Sequence, residues 1–478
     1  MPDAAVKQSI TRGLRWVGAA ATAVAALDVV AVILILRYWL SAEDYGTATV
    51  VVTLFGAIEL AAELGLSAAV IQRDDHTDDR LSTVFWLNLM AGAVFYLAIW
   101  LAAPALARAH HEPIVETLFK VYGINLLLKA AYGTHQALLK RQLRFKELSI
   151  VRIVANLTDF TVRIVTAATG YGLWCLVLGT LARSLVYAIG VPIAARWRPR
   201  FVFRPRDAWP YLAFGARASA GEFLFQLYSN LDYQVVGIFF GSAAVGVYRA
   251  AYELVLEPVR FVSGAVTGVA FPAFARLRTD RAAVIDQLVR FVRQNLIVVL
   301  SLVGLILVTA EQALAVIIKP EYAVAASSAR VLAIVGVLRA LSFLGPPLQD
   351  GLGRPELSLR YQLVAATVLT TLFAGFAWLL GDRLGYFSVA LAWAVGYPIA
   401  FFVLGAQILF LLELRLGYLL ARIADIVVAV AVGTGAGLVA RRLVRGLAPP
   451  TQLAVMAAVT VAGIGLGFLA FAARRRRG

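Results

Sequence analysis

The sequence predicts an all-α, polytopic membrane protein, and three observations lead to that fold class. Hydrophobic residues make up 61% of the 478 residues and charged residues 15%, with a mean hydropathy of +0.80. Soluble domains have about a quarter of their residues charged. Apolar stretches recur along the whole chain, and basic residues concentrate in the connections between them. Both patterns are typical of an integral membrane protein.

The apolar stretches predict about fourteen membrane helices, because each is near the roughly 20 residues that one crossing needs. We expect the first to be a retained helix, since it is too long for a signal peptide and lacks a small-residue cleavage site. The predicted spans are 16–37, 47–70, 83–107, 116–138, 150–170, 172–195, 211–240, 244–272, 288–310, 325–349, 359–380, 385–411, 419–440 and 452–473.

The distribution of Lys and Arg predicts that both termini are cytoplasmic. With the N-terminus inside, about 25 basic residues fall on the inside and about 7 on the outside, the usual positive-inside bias. Inside clusters lie at 140–146, 196–206, 276–281 and 474–477. The exception is the group Arg441, Arg442 and Arg445, which falls outside. The same bias accounts for the net charge of +16, so no nucleic acid is expected as a partner.

An internal repeat predicts two related lobes. Leu40–Gly46 and Phe240–Gly246 lie 200 residues apart, and each gives a Gly-ended turn after an apolar run that a Leu-Asp pair opens. The connection 196–210, with three prolines and five arginines, separates the two halves. We expect an N-terminal lobe at 1–200, a C-terminal lobe at 201–417 and two additional helices with a basic tail at 418–478. An axis along the membrane normal would relate the lobes.

Charges inside two predicted spans share helix faces. Arg249, Glu253, Glu257 and Arg260 follow one another at steps of four, four and three, so they lie on one side of a helix. Each charge at the bilayer centre is unfavourable by at least about 2.5 kcal/mol. This stripe of charges is therefore expected to face a water-filled cavity or a partner helix.

A second stripe and isolated charges leave two interpretations open. Arg152, Asn156, Asp159 and Arg163 have the same helical spacing. Local pairing of Asp159 with Arg163, and of Arg249 with Glu253, would lower the cost of burial without any role in transport. For Lys129 and Arg183, extension of the side chain to a lipid headgroup is as plausible as a functional role.

The stretch LDYQVVGIFFGSAAVGVYRAAYEL, followed by GVAFPAFARL, resembles the seventh and eighth helices of polysaccharide-exporting (Wzx-like) flippases. These belong to the multidrug/oligosaccharidyl-lipid/polysaccharide exporter superfamily. The resemblance implies two six-helix lobes in a V shape plus two C-terminal helices. It also implies translocation of a polyprenyl-pyrophosphate-linked oligosaccharide from the cytoplasmic to the outer leaflet of a bacterial inner membrane.

Such a substrate needs cationic partners for its pyrophosphate, and the arginine fork suits phosphate. Carboxylates in the same cavity would bind a coupling proton or sodium ion. No other cofactor and no metal site is expected, and the partners are membrane lipid, the lipid-linked oligosaccharide and other polysaccharide-assembly proteins. The predicted substrate-binding residues are Arg249, Arg217, Arg260, Arg163 and Arg339, and the predicted ion-coupling residues are Asp28, Glu59, Glu63, Asp232 and Glu253.

Three alternative functions would require different features of the sequence. A multidrug or cation antiporter of the same superfamily would have an acidic cavity with few arginines. A membrane polymerase or ligase would need a sizeable external loop bearing Arg and His, and a scaffold would gain nothing from buried charge. No ATPase is expected without a phosphate-binding GxxxxGK[ST] loop, and the cluster at 74–79 is expected to cap a helix through Thr77 or Asp78. The sequence therefore predicts a transporter and not an enzyme.

Overall fold

The computed structural model of the chain describes residues 24–25, 27–73 and 77–475, without the side chains of residues 217, 218, 265, 268, 474 and 475. Within these residues the structure is helical and contains no β-strand. The chain divides into two compact units, Met1–Gly246 and Val247–Gly478, which are taken one at a time below.

The part of the first unit that the structure describes contains nine helices that begin and end within it or at its described edge. Several begin at side-chain caps, for example at Ser41, whose hydroxyl accepts a hydrogen bond from the Asp44 N–H at 3.0 Å, and at Thr77, as predicted. The helices are α1 (27–38 among the described residues), α2 (Ala42–Glu63), α3 (Leu66–Gln72), α4 (Asp78–Ala109), α5 (Ile114–Tyr122), α6 (Ile124–Arg141), α7 (Phe145–Ala168), α8 (Trp174–Ala195) and α9 (Pro205–Phe240).

The second unit begins within α10 and contains eight helices. A π-helical turn at Leu314–Ile318 and a 3-10 turn at Pro320–Ala325 join two of them. The helices are α10 (Ser242–Leu277), α11 (Arg281–Ala313), α12 (Ala326–Ser342), α13 (Gly345–Gly351), α14 (Pro355–Leu384), α15 (Phe387–Leu411), α16 (Leu416–Leu443) and α17 (Pro449–Arg475).

Among the described residues, each predicted span falls on one helix or on one broken pair of helices, which confirms the all-α polytopic fold class. Residues 16–23 and 26 of the first predicted span lie outside the described residues. Nine helices among the described residues are long and apolar enough to cross a membrane, or ten if the bent α10 counts as one span. Four other predicted spans do not meet this test of length and hydropathy, and the reasons are visible in the structure and the sequence. Only part of α1 is described, Gly123 interrupts α5 and α6, and α7 and α9 carry charges within their apolar runs.

The bend in α10 has a local cause. The segments Ser242–Gly264 and Val269–Leu277 meet at 41°. Pro272 follows the bend by one turn, and a helical proline lacks the N–H and clashes with the carbonyl four residues before it. The sequence indicated such a kink through Pro258 and Pro272.

Glycines let the start of α2 touch the start of α10 closely within the first unit. A Cβ on Gly46 would lie 1.7 Å from the Ser242 carbonyl oxygen, and a Cβ on Gly246 would lie 1.8 Å from the Ala42 carbonyl oxygen. Any larger residue would force the backbones apart. Gly46 and Gly246 are equivalent positions of the predicted repeat, as are Ala42 and Ser242. Each glycine contacts the equivalent of the other's partner, which is the reciprocal pattern of a two-fold contact.

The two C-terminal helices are fixed to α11 by charge pairs and close packing. Arg293 forms a two-pronged ion pair with Asp425 of α16, with both N–O distances at 2.8 Å. Arg441 donates to Glu311 at 2.6 Å, and Arg330 approaches the same carboxylate at 3.6 Å. One member of the basic group that breaks the predicted positive-inside bias is therefore neutralised by a carboxylate within the protein.

Candidate functional site

A group of ion-paired side chains in the first unit is centred on the buried Asp159 in α7. Asp159 is 1% exposed. Its Oδ1 lies 2.7 Å from Arg163 Nε one turn along the same helix, and its Oδ2 accepts from Arg183 Nη1 of α8 at 3.3 Å. The distance between Asp159 Oδ1 and Arg163 Nε is that of an ion pair, but the angle is not that of a hydrogen bond. Neither of these two atoms has a hydrogen-bond partner among the described residues. One carboxylate thus serves two guanidinium groups.

A second ion pair lies across α2 and α6. Lys129 Nζ donates to Glu59 Oε2 at 2.9 Å. Both side chains line a partly open cavity, whose empty space of about 380 Å³ includes space open to solvent. Polar groups of the same lining are Glu63, Ser67, Asn88 and Gln136. The cavity therefore offers a cation, carboxylates, amides and a hydroxyl in one space.

The two ion pairs are electrostatically connected. The Arg183 guanidinium interacts with Asp159 and also with Asp28 of α1 and Glu59 of α2. Glu63 interacts with Lys129. We call Glu59, Lys129, Asp159, Arg163 and Arg183 the charge cluster, and it is supplied by α2, α6, α7 and α8.

The sequence of α8 makes room for this arrangement at Gly179. A Cβ on Gly179 would lie 2.5 Å from Asp159 Oδ1 and 2.4 Å from Arg163 Cγ. Because glycine has no Cβ, the Asp159–Arg163 pair can lie directly against the α8 backbone. Aromatic packing beside it joins α6 to α8, where the Tyr132 and Tyr187 rings stack at 5.3 Å.

The charge cluster can exchange partners without separating charge. Three cations face two carboxylates, and a phosphate has the geometry to replace a carboxylate on an arginine fork. A carboxylate displaced from its cation in a buried site becomes more basic, because it has lost the charge that favoured ionisation. The cluster can thus couple anion binding to uptake of a cation or proton.

In the second unit, the predicted Arg339 is buried among aromatic rings. Arg339 is 5% exposed and donates to the Tyr252 hydroxyl. Its guanidinium carbon lies 4.8 Å from the centre of the Trp393 ring and 5.7 Å from that of Tyr252. Such cation–π contacts are favourable when the cation is shielded from water.

The stripe of charges on α10, which we call the α10 stripe, is paired along its own helix. Arg249 Nε donates to Glu253 Oε1 at 2.7 Å, with the two side chains 22% and 20% exposed. Arg260 Nη2 lies 2.8 Å from Glu257 Oε2, with 60% and 41% exposed. The structure therefore contains the local pairing that the sequence left open as an alternative.

The other predicted site residues lie in the first unit and are not all brought together. Asp232 in α9 is fully buried, and its Oδ1 accepts from the Tyr233 N–H at 3.0 Å. Glu63 lines the cavity of the charge cluster. Arg217 lies in α9, and its side chain is outside the described residues. No group of three or more His, Cys, Asp or Glu side chains in the described ranges could hold a metal ion.

Sequence reasoning left Lys129 and Arg183 undecided, and the structure gives each a carboxylate partner. The partners are 70 and 24 residues away in sequence, so no helical spacing connects them. The only signal was the presence of a cation inside an apolar run, where an ionisable residue is a functional candidate by default.

The chain is similar in sequence to curated polysaccharide biosynthesis proteins. The teichuronic acid biosynthesis protein TuaB of Bacillus subtilis (strain 168) is 30% identical over 295 residues, 60% of each chain. The lipopolysaccharide biosynthesis protein WzxC of Escherichia coli (strain K12) is 25% identical over 303 residues, 63% of this chain and 60% of that protein. The similarity thus spans about three fifths of each of these relatives.

Similarity to solved structures extends over nearly the whole chain at the level of the fold. The inward closed conformation of the lipid II flippase MurJ has a TM-score of 0.77 at 12% identity, covering 95% of this chain and 98% of that one. An inward-facing multidrug resistance MATE family transporter has a TM-score of 0.61 at 18% identity, covering 81% and 95%.

The family described as polysaccharide biosynthesis protein matches residues 35–327, more than half of the chain. This match and the relatives confirm the resemblance that the α9–α10 stretch indicated. The chain therefore belongs to the polysaccharide biosynthesis protein family.

Proposed function

We propose that this protein carries a lipid-linked oligosaccharide, joined to its polyprenyl carrier by a pyrophosphate, from the cytoplasmic to the outer leaflet. One observation carries the proposal. A member of a polysaccharide biosynthesis family holds ion-paired cations on three helices, two of them on the buried Asp159, beside a cavity lined with hydrogen-bonding groups. Cations suit the pyrophosphate, and amides and hydroxyls suit a sugar.

The charge cluster would bind the substrate by exchange. The pyrophosphate replaces Asp159 on Arg163 and Arg183, and it replaces Glu59 on Lys129. Asn88 and Gln136 in the cavity lining offer hydrogen bonds to sugar hydroxyls. When the substrate leaves on the other side, the carboxylates return to their cations, so the empty site is never left with unpaired buried charge.

The released carboxylates are the proposed coupling sites for a proton or a sodium ion. Asp28, Glu59 and Glu63 interact electrostatically with the cations of the cluster, so loss of a cation to substrate would raise their affinity for another positive charge. Asp232 and Glu253 remain further candidates on α9 and α10.

The remaining predicted arginines are proposed as additional contacts. Arg339 is buried among aromatic rings, Arg249 is already paired to Glu253, and Arg260 is mostly exposed. Because charge contacts weaken as solvent screens them, we expect their contributions to fall in that order. Arg217 is proposed from its position in α9 alone.

Complementation of a flippase-deficient strain tests this function. The full-length protein should restore surface polysaccharide and abolish the accumulation of lipid-linked oligosaccharide in the inner leaflet. Arg163→Gln should fail to do so at a matched membrane level, while Arg354→Gln, which alters a pair with both side chains about 60% exposed, should restore export. Restoration by both variants would remove the charge cluster from the substrate site.

The two competing functions make different predictions. A multidrug antiporter, favoured only by the MATE-like fold, would lower cellular accumulation of a cationic dye. A polymerase or ligase would lengthen or transfer lipid-linked oligosaccharide in detergent, without a membrane. We expect neither activity, because Arg163 and Arg183 interact with Asp159 in the same charge cluster as the Lys129–Glu59 pair, and the curated relatives are named for polysaccharide biosynthesis.

The proposed topology places both termini in the cytoplasm of a bacterial inner membrane, with lobes at 1–200 and 201–417 followed by two helices at 418–478. Arg144→Cys and Arg200→Cys, in two connections predicted to be inside, should resist an impermeant thiol reagent added to intact cells. Labelling of both without permeabilisation would contradict the orientation. Other polysaccharide-assembly proteins are proposed as partners, because the family to which the chain belongs is described as polysaccharide biosynthesis protein.

A further inference from the structure

The connection between α8 and α9, together with the first residues of α9, forms a fixed strap at 196–209. The Arg200 N–H donates to Ser82 Oγ at 2.9 Å, and the Arg204 N–H donates to Thr83 Oγ1 at 3.2 Å. The Trp86 indole N–H donates to the Arg200 carbonyl at 2.8 Å. A segment without regular structure is thus tied at two points to the first turns of α4.

Only two of the five arginines in this strap take part in holding it. Arg200 pairs with Asp78 at 3.1 Å, and Arg204 pairs with Asp79 at 3.0 Å. The other three are exposed and form no ion pair with the part of the chain that the structure describes; they are Arg196, Arg198 and Arg206. The fold therefore presents three cations at fixed positions to a partner outside the protein.

Exposed aromatic side chains alternate with these cations. Phe201 is 94% exposed, although one face of its ring stacks on Trp86 at 5.3 Å, and Trp209 is 70% exposed. The strap begins directly after Ala195, where a helix able to cross a membrane ends. Aromatic rings at this depth lie among lipid headgroups, with their apolar bodies toward the acyl chains.

We propose that this strap, residues 196–209, is a binding surface for anionic phospholipid in the leaflet that it faces. Arginine forks bind headgroup phosphates, and basic clusters next to a membrane helix attract anionic lipid. Phe201 and Trp209 would hold the strap at headgroup depth. This interaction is separate from substrate transport, since none of these side chains belongs to the charge cluster.

Lipid titration of the full-length, detergent-solubilised protein tests the proposal. Native mass spectrometry counts bound phosphatidylglycerol and gives the dissociation constant of the first lipid. Each arginine near an anionic headgroup contributes about fivefold. The combined variant Arg196→Gln, Arg198→Gln and Arg206→Gln should therefore bind phosphatidylglycerol roughly a hundredfold more weakly, with its weak binding of phosphatidylcholine unchanged.

A matched control has the same loss of charge elsewhere. Arg276→Gln, Arg278→Gln and Arg360→Gln remove three exposed arginines, two near a predicted inner connection and one at the start of the predicted span 359–380, and should change the first dissociation constant by less than about threefold. Equal losses in the two triple variants would overturn the proposal. So would wild-type affinity for phosphatidylglycerol in the strap variant, or weakened binding of geranylgeranyl pyrophosphate in place of phosphatidylglycerol.

A second measurement keeps the proposal testable if the triple variant folds poorly. A nitroxide attached at Trp209→Cys in nanodiscs containing phosphatidylglycerol should relax with dissolved oxygen and be protected from a water-soluble nickel chelate. Cys175 is fully buried and should not be labelled. Full access of the chelate to position 209 would place the strap in water and contradict the proposal.

Discussion

The charge cluster of the first unit and the α10 stripe of the second neutralise their charges in different ways. In the first unit, Asp159 of α7 contacts Arg183 of α8, and Glu59 of α2 contacts Lys129 of α6. In the second unit, the α10 stripe pairs Arg249 with Glu253 and Arg260 with Glu257 along a single helix. The first arrangement depends on tertiary structure, whereas the second could form in an isolated helix.

This difference separates charge pairs that depend on the packing of several helices from charge pairs that one helix can form alone, and it predicts different effects on folding. A pair three or four residues apart contributes only about 0.2–0.5 kcal/mol to a helix. Removing one partner of a buried pair costs about 3–5 kcal/mol, because it leaves an uncompensated charge. The charge cluster should therefore be sensitive to substitution, and the α10 stripe should be tolerant.

The largest expected effect comes from Asp159→Ala. It leaves Arg163 and Arg183 facing each other without their shared carboxylate and should destabilise the protein by about 3–5 kcal/mol. Glu257→Ala is the matched control in the α10 stripe and should cost at most about 1 kcal/mol, because its pair is largely exposed. Thermal unfolding of the purified variants compares the two, and similar losses would erase the distinction.

A smaller loss is expected from closing the space beside Asp159. Gly179→Ala puts a methyl group within 2.5 Å of Asp159 Oδ1 and should cost about 1–3 kcal/mol through overpacking. In contrast, Gly375→Ala in α14 meets no atom within 4 Å and should be neutral or stabilise by up to about 1 kcal/mol. Unfolding midpoints and export by both variants test this, and a neutral Gly179→Ala would show that the cluster is loosely packed.

For the α10 stripe, we expect a moderate effect on export with little effect on folding. Arg249→Ala should lower export about tenfold through loss of a charge-assisted contact of about 1.5 kcal/mol, and Arg249→Lys should recover part of it. Adding Glu253→Ala to Arg249→Ala should not restore export. Full recovery in that double variant would mean that Arg249 only neutralises Glu253.

The smallest effect on stability is expected at His110, which lies outside the predicted membrane spans and contacts a second helix of the first unit. His110 follows α4 and packs against Gly237 of α9, and burial lowers the pKa of its imidazole below 6.5. Since the folded state disfavours the proton, His110 stabilises the protein fully above about pH 6.5 and loses that contribution as pH falls through its lowered pKa.

Unfolding midpoints between pH 5 and 8 measure this contribution. The wild type should lose stability below about pH 6.5 more steeply than His110→Gln, while His111→Gln, on an exposed neighbour, should follow the wild type. Identical profiles for all three proteins would show that His110 is not held in its neutral form.

The sequence predicted the helices because hydropathy and span length constrain them strongly. It also anticipated the Asp159–Arg163 and Arg249–Glu253 pairs, since helical spacing brings residues four apart together. It did not identify the partners of Arg183 and Lys129, because contacts between helices depend on packing that no local pattern records. Gly179 illustrates the reason: its role is visible only once the Asp159 side chain lies against it.

Direct binding of a pyrophosphate lipid tests the central claim that the charge cluster holds the substrate. Geranylgeranyl pyrophosphate is titrated into the purified wild type, Arg163→Gln and Arg260→Gln. Loss of a charge-assisted contact of about 1.5–3 kcal/mol should weaken binding by Arg163→Gln ten- to hundredfold, whereas Arg260→Gln should remain within about threefold of the wild type. Wild-type affinity in Arg163→Gln, with the loss appearing instead in Arg260→Gln, would contradict the account.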